Sequence, residues 1–150
     1  MTIYIGADHG GFALKESLKA TLTNEGYDVA DLSSPALAPD DDYPDIASAV
    51  AKQVGEDGTN RRGIVICHSG FGVDIVANKF NNVRAALAMS PDHVYQGRHD
   101  DDVNVLALAA DFVDEPAAQQ IMKVFLTTPF AREERYLRRI EKIARLELDR

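Results

Sequence analysis

With 150 residues, 45% of them apolar, the chain can bury one sizeable core, and a single globular domain over the whole length is the expectation. A formal charge of −8 argues against nucleic-acid and membrane surfaces, both of which are met by clustered Lys and Arg. The lone cysteine, Cys67, excludes an internal disulfide framework or a cysteine-rich zinc site and points to a reducing, cytoplasmic compartment.

The N-terminal run TIYIGA reads as a strand, and its interruption by Asp8 and His9 is unlike a signal peptide. Gly10 to Glu25 carries Phe12, Leu14, Leu18 and Leu22 at helical spacing, with Gly26 as its stop. YDVADL predicts a second strand, and SSPALAPDDDY a polar loop. A helix follows from Pro44 to about Asp57, with Pro at its first position and Ile46, Ala49, Val50 and Val54 on one face. GIVIC is a short continuous apolar run, as in a strand buried on both faces. A helix from about Gly72 to Phe80, a strand VRAALAM, a helix after Pro91 and a strand VNVLALA continue the alternation, and DEPAAQQIMKVFLTT is a helix capped by Asp114. The last predicted helix, Ala131 to Arg150, puts Leu137, Ile140, Ala144 and Leu148 on one face. Arg132, Arg135, Arg139 and Lys142 lie nearly opposite, so the helix is suited to docking on a partner subunit. No segment approaches the length of a membrane span.

Strand and helix in alternation predict an open, doubly wound α/β sheet of five parallel strands, in which ligands bind beyond the carboxyl ends of the strands. Three unusual stretches are expected there: Asp8-His9, Cys67 to Gly72, and GRHDDD before the fifth strand. In CHSGFG the cysteine is either a small core residue or a reactive group. Gly70 and Gly72 allow close backbone approach, and the helix after them offers N–H groups and a dipole that favour a thiolate or an oxyanion. The stretch is neither a Walker loop, which needs Lys and Ser or Thr after the glycines, nor a G-x-S-x-G elbow. GADHGG misses the spacing of a dinucleotide fingerprint, which counts against a nucleotide-binding module; Asp8 either caps the following helix or faces sugar hydroxyls. The aspartates of RHDDDVNV lack EF-hand spacing and read as a turn with one or two side chains toward the pocket. The arginine stripe is either a surface solvated with Glu133, Glu134, Glu141 and Glu147 or a clamp for an anion.

IGADHGGFALK, DDYPDIA, GIVICHSGFGVDIVANKF, VRAAL, DDVNVLAL and TPFAREERYLRRIEKI, taken in this order, resemble the ribose-5-phosphate isomerase B and galactose-6-phosphate isomerase family over nearly the whole chain. The resemblance implies an aldose-ketose isomerase that needs no cofactor or metal and forms a homodimer, or a tetramer, with shared active sites. It implies ribose 5-phosphate as substrate and a cis-enediolate formed by Cys67, with Ser69, where the family usually has Thr, passing a proton between O1 and O2. The catalytic set it suggests is Cys67, Ser69, His99 and Asp100; the binding set is Asp8, His9, Tyr43, His68, Gly70, Phe71, Gly72, Asp101, Arg135 and Arg139. Within that set Asp8 and Tyr43 match sugar contacts, and His9, Arg135 and Arg139 match groups that hold phosphate. The chain departs from the pattern at His68, usually Gly, at Asp100, which aligns with the usual ring-opening histidine, at Asp101, usually Asn, and at Asp111, an arginine in some members. These changes leave open another sugar phosphate, a tetrose, pentose or hexose, or a non-catalytic relative.

Overall fold

The computed structural model describes residues 1–148, so the last two positions of the predicted terminal helix lie outside the described residues. Five parallel strands, β1 (Thr2–Ala7), β2 (Asp28–Asp31), β3 (Arg61–Cys67), β4 (Ala85–Leu87) and β5 (Val105–Ala109), form one sheet in the order β2-β1-β3-β5-β4. Helices α1 (Phe12–Asn24), α2 (Tyr43–Glu56), α3 (Phe71–Ala77), α4 (Pro91–Asp101), α5 (Glu115–Thr127) and α6 (Glu134–Leu148) alternate with and follow them. The predicted α/β class and doubly wound order hold. No helix among the described residues is long and apolar enough to cross a membrane.

Successive side chains of a strand face opposite sides, and the central strands show it. Ile64 and Ile66 of β3 enter one apolar cluster with Leu18 and Leu22 of α1, Val94 of α4, and Ile121 and Phe125 of α5. Val65 and Cys67 enter the other, with Val50 and Val54 of α2 and Val73 and Ala77 of α3. Burial on both faces explains why GIVIC has no polar alternation. The chain leaves β1 toward one side of the sheet and β3 lies on the other, so the strand order reverses between them and opens a crevice at their carboxyl ends.

Two helix ends follow their sequence signals: Ser90 and Asp114 accept from the N–H groups of His93 and Ala117 ahead of Pro91 and Glu115. One core position does not. Lys15 of α1 is fully buried, its Nζ 2.9 Å from Asp31 and 3.1 Å from the Ser33 hydroxyl. Burial would raise the Asp31 carboxyl, but Lys19, Lys15 and Ser33 outweigh it and hold it at about 2. This ion pair fastens α1 to the end of β2 beside the crevice. The terminal helix starts at Glu134, later than predicted, and Arg132 precedes it in the left-handed region at φ 55°.

Candidate active site

Cys67 is the last residue of β3, 5% exposed, and its Sγ accepts a hydrogen bond from the Gly70 N–H at 3.2 Å. That contact needs a tight turn. Gly70 stands at φ 76°, and a Cβ there would lie 2.4 Å from Leu87 Cδ1, so both conformation and space require glycine. Ser69 is half-buried on the same turn, and the first N–H groups of α3, from Phe71 and Gly72, have no acceptor inside the helix. Gly72 is pressed against Tyr43: a Cβ would meet its ring at 2.7 Å, so the first residue of α2 stands beside the thiol turn. Phe71 points outward and is 64% exposed.

The β1 turn supplies the opposite wall. Asp8 is buried, and its Oδ1 accepts from the N–H groups of Gly10 and Gly11 at 3.0 and 3.1 Å, which folds the loop ahead of α1. His9 donates its N–H to Asp41 Oδ1 at 2.9 Å and places Nδ1 2.8 Å from the same oxygen. The Asp41 bond keeps the His9 imidazole protonated to higher pH than usual, with Asp8 and Asp40 adding to the effect against some burial. From the β3 turn, His68 lays its ring over the bare Cα of Gly10 and meets His9 edge to face at 5.3 Å. Its Nδ1 lies 3.0 Å from Asp111, whose N–H donates to the His68 carbonyl at 3.0 Å. The departures at positions 68 and 111 are therefore one feature, a histidine-carboxylate pair that closes part of the crevice.

The remaining predicted site residues are elsewhere. GRHDDD is not a turn at the carboxyl end of the sheet: Arg98 to Asp101 complete the last turn of α4, which ends at Asp102 with φ 48° and leads into the amino end of β5. Carboxylates at a helix C-terminus oppose its dipole and read as a helix breaker in sequence. Here Arg84 and Arg98 bind Asp102 at 2.8 and 2.7 Å and remove that penalty. Asp101 is exposed; its side chain makes no hydrogen bond or ion pair among the described residues, and its carbonyl accepts from Arg84 Nε at 3.1 Å. His99 and Asp100 make a pair at 2.6 Å, and this bond lowers the Asp100 carboxyl, opposed in part by burial. His99 also stacks on Tyr95 at 5.3 Å and meets Tyr136 at 5.9 Å. Arg135 and Arg139 of α6 cover the Tyr136 ring at 4.6 and 5.9 Å. β5 runs from Val105 to Ala109 in register with Gly63 to Cys67, so about 13 Å of strand separates this second cluster from the thiol.

The chain matches the Ribose/Galactose Isomerase family model over residues 3–143. It belongs to that family. A probable ribose-5-phosphate isomerase B of Mycoplasma genitalium is 38% identical over 145 residues, 97% of this chain and 95% of its own. The D-erythrulose-4-phosphate isomerase of Pectobacterium atrosepticum is 33% identical, over 87% of this chain and 85% of its own. Among solved structures, the Mycoplasma genitalium ribose-5-phosphate isomerase B with bound ribulose-5-phosphate superposes with a TM-score of 0.95 at 37% identity, covering 99% and 97% of the two chains.

Three residues that the structure places in or beside these clusters were missed by sequence reasoning. Asp41, one of three aspartates in an irregular loop, reveals its role only through His9. Tyr136 is the sole buried residue of α6, at 5% exposure, and its position in a charged run gives one signal, an aromatic on an otherwise polar face. Lys15 lies between Leu14 and Leu18 in α1, where a lysine ordinarily signals the solvent side.

Proposed function

We infer that the chain interconverts ribose 5-phosphate and ribulose 5-phosphate, with Cys67 as the base. The observation that carries this reading is the Cys67 turn: a buried sulfur at a strand end, bonded by the Gly70 N–H, on a turn bordered by Tyr43 through Gly72, by His9 through His68, and by Asp8, whose N–H donates to the Ile66 carbonyl. Cys67, as thiolate, takes the C2 proton of the open-chain aldose, and the electron pair forms the C1–C2 double bond of a cis-enediolate. The N–H groups of Phe71 and Gly72, with that of Ser69, bind the developing oxyanion, and Ser69 moves a proton from O2 to O1. Collapse of the O2 charge to a carbonyl draws the Cys67 proton onto C1, so the thiolate is regenerated. Asp8 and Tyr43 hold sugar hydroxyls, His68 and Phe71 line the substrate, and the His9 imidazolium meets the phosphate.

The phosphate clamp and the ring-opening group come from a second copy. His99, Asp100, Arg135 and Arg139 share one end of the sheet and Cys67 occupies the other, so one protomer cannot bring them together. Exposed apolar residues support the pairing: Phe71, Ile75, Met89 and Phe112 near the thiol end, Leu137 on α6. In the homodimer His99, with Asp100, relays the proton that opens the furanose, and Arg135 and Arg139 bind the phosphate bidentately. A lone, reduced cysteine fits a cytoplasmic enzyme. A tetrose phosphate is the second reading, favoured by the His68 ring over Gly10, which shortens the crevice, and by the similarity to D-erythrulose-4-phosphate isomerase.

The test is ribulose 5-phosphate formation from ribose 5-phosphate by the purified protein and by Cys67→Ala. The variant is expected to lose on the order of 10²- to 10⁴-fold in kcat, the range for removal of a general base. Wild-type turnover in the variant would remove Cys67 from the mechanism, and erythrose 4-phosphate as the preferred substrate would select the second reading.

A further inference from the structure

A cavity of about 640 Å³ lies at the amino ends of β3 and β5, away from the thiol. Four arginines line it: Arg62, Arg84, Arg98 and Arg132. In a chain of net charge −8 such a concentration of positive charge is unexpected on composition alone.

The arginines differ in how they are held. Arg98 is 3% exposed, with Nη1 on Asp102 at 2.7 Å and Nε on the Thr128 carbonyl at 3.3 Å. Arg84 shares Asp102 at 2.8 Å. Arg62 has no carboxylate: its Nη1 donates to the carbonyls of Gly58 and Arg61 at 2.8 and 2.9 Å. Burial and the neighbouring Arg98 and Arg84 charges disfavour its charged form, with Asp102 the opposing influence. Arg132 is exposed, in the left-handed region, and makes no ion pair or side-chain hydrogen bond among the described residues. The other carboxylates of the cavity wall are engaged, Glu56 by Arg61 at 2.9 Å and Asp57 by the N–H groups of Thr59 and Asn60. Arg62 and Arg132 are thus two cations that make no ion pair among the described residues and line one cavity.

We propose that this cavity is a binding site for a small oligophosphate anion, seated between the Arg62 and Arg132 guanidiniums above the Arg84-Asp102-Arg98 ion triad. Guanidinium forks match phosphate oxygens in pairs, and the triad pre-positions the floor without using Arg62 or Arg132. The volume exceeds what one phosphate needs, and two unmatched cations suit two linked phosphate groups. The buried Asn104 fixes the rim by accepting from the Arg84 N–H at 2.8 Å and donating to the Asn82 carbonyl at 2.8 Å. The site lies at the far end of the strands that carry Cys67 and precede Asp111, so it is separate from the crevice of its own chain.

Calorimetric titration with inorganic pyrophosphate at low salt tests the site, using the intact protein, Arg62→Gln, Arg132→Gln and Arg139→Ala. Pyrophosphate binding is expected to survive Arg139→Ala, to weaken at least tenfold in Arg62→Gln and at least threefold in Arg132→Gln, and to leave the KM for ribose 5-phosphate within twofold in the last two. Unchanged affinity in both Arg62→Gln and Arg132→Gln would overturn the proposal. So would a KM that rises in step with the lost affinity, which would place these arginines in the substrate site. If Arg62→Gln fails to fold, Arg132→Gln decides alone, because its side chain stands on an exposed loop. The titration does not need turnover, so pyrophosphate affinity can be measured, and the proposal upheld or overturned, even for a chain that isomerised no sugar.

Discussion

At the carboxyl ends of β1 and β3 the proposed chemistry rests on short loops that glycine permits, whereas at the amino ends it rests on long cationic side chains. Gly70 brings its N–H onto the Cys67 sulfur, and Gly72 lets the backbone lie against the Tyr43 ring, both with almost no rotatable freedom. Arg135 and Arg139 reach their place over Tyr136 through flexible stems. Rigid donors suit charge that develops only in the transition state, because they are oriented before the reaction begins. Flexible guanidiniums suit a phosphate charge that is constant throughout the reaction. The two ends should therefore fail differently when altered.

The largest expected effect is at the rigid end. Gly70→Ala forces an L side chain to φ 76° and into Leu87, at a cost of about 1–2 kcal/mol in stability, and displaces the donor on Cys67. Its kcat is expected to fall on the order of 10²-fold, because the same shift moves the Phe71 and Gly72 N–H groups and loss of one oxyanion donor costs at least that much. A kcat near wild type would mean that the turn does not have to be rigid.

Arg139→Ala probes the flexible end, with KM expected to rise on the order of tenfold and kcat within threefold, since a charged hydrogen bond to phosphate acts equally in ground and transition states. Mixing it with Cys67→Ala adds a second readout. In a dimer with shared sites, subunits refolded together in equal amounts regain about a quarter of intact sites, because one site of each mixed dimer draws both good residues. Activity that stays at the sum of the two variants would assign each site to a single chain.

The smallest effect belongs to Asp74, on the first turns of α3, where burial raises the carboxyl from 3.8 to about 6. The native state then keeps its proton to higher pH than the unfolded chain. The group therefore leaves stability intact below pH 3.8 and erodes it as pH rises to about 6. Asp74→Asn should remove that slope and raise Tm above pH 6 by roughly a few degrees, with little change at pH 4. Parallel Tm curves for the two proteins across pH 4–8 would show that Asp74 is fully hydrated.

Much of the thiol end was legible from residue order. The alternation of strands and helices specified the parallel sheet, and the placement of Cys67 before Gly70 and Gly72, and of Asp8 after β1, specified that a ligand crevice with backbone donors would form at the strand ends. These are local properties: side-chain periodicity, turn chemistry and the strand-order rule act over a few residues and survive without knowledge of distant contacts. The rest depended on contacts made through space. Whether HDDD was turn or helix depended on Arg84, which approaches from another strand's entrance. The pairing of His68 with Asp111 spans 43 positions, that of His9 with Asp41 spans 32, and Lys15 is acceptable in the core only because Asp31 arrives beside it. Charges act through space at low dielectric, and a sequence names the charged groups without their distances. That is why the glycine-bounded Cys67 turn could be read from the chain and the far-end position of Arg135 and Arg139 could not.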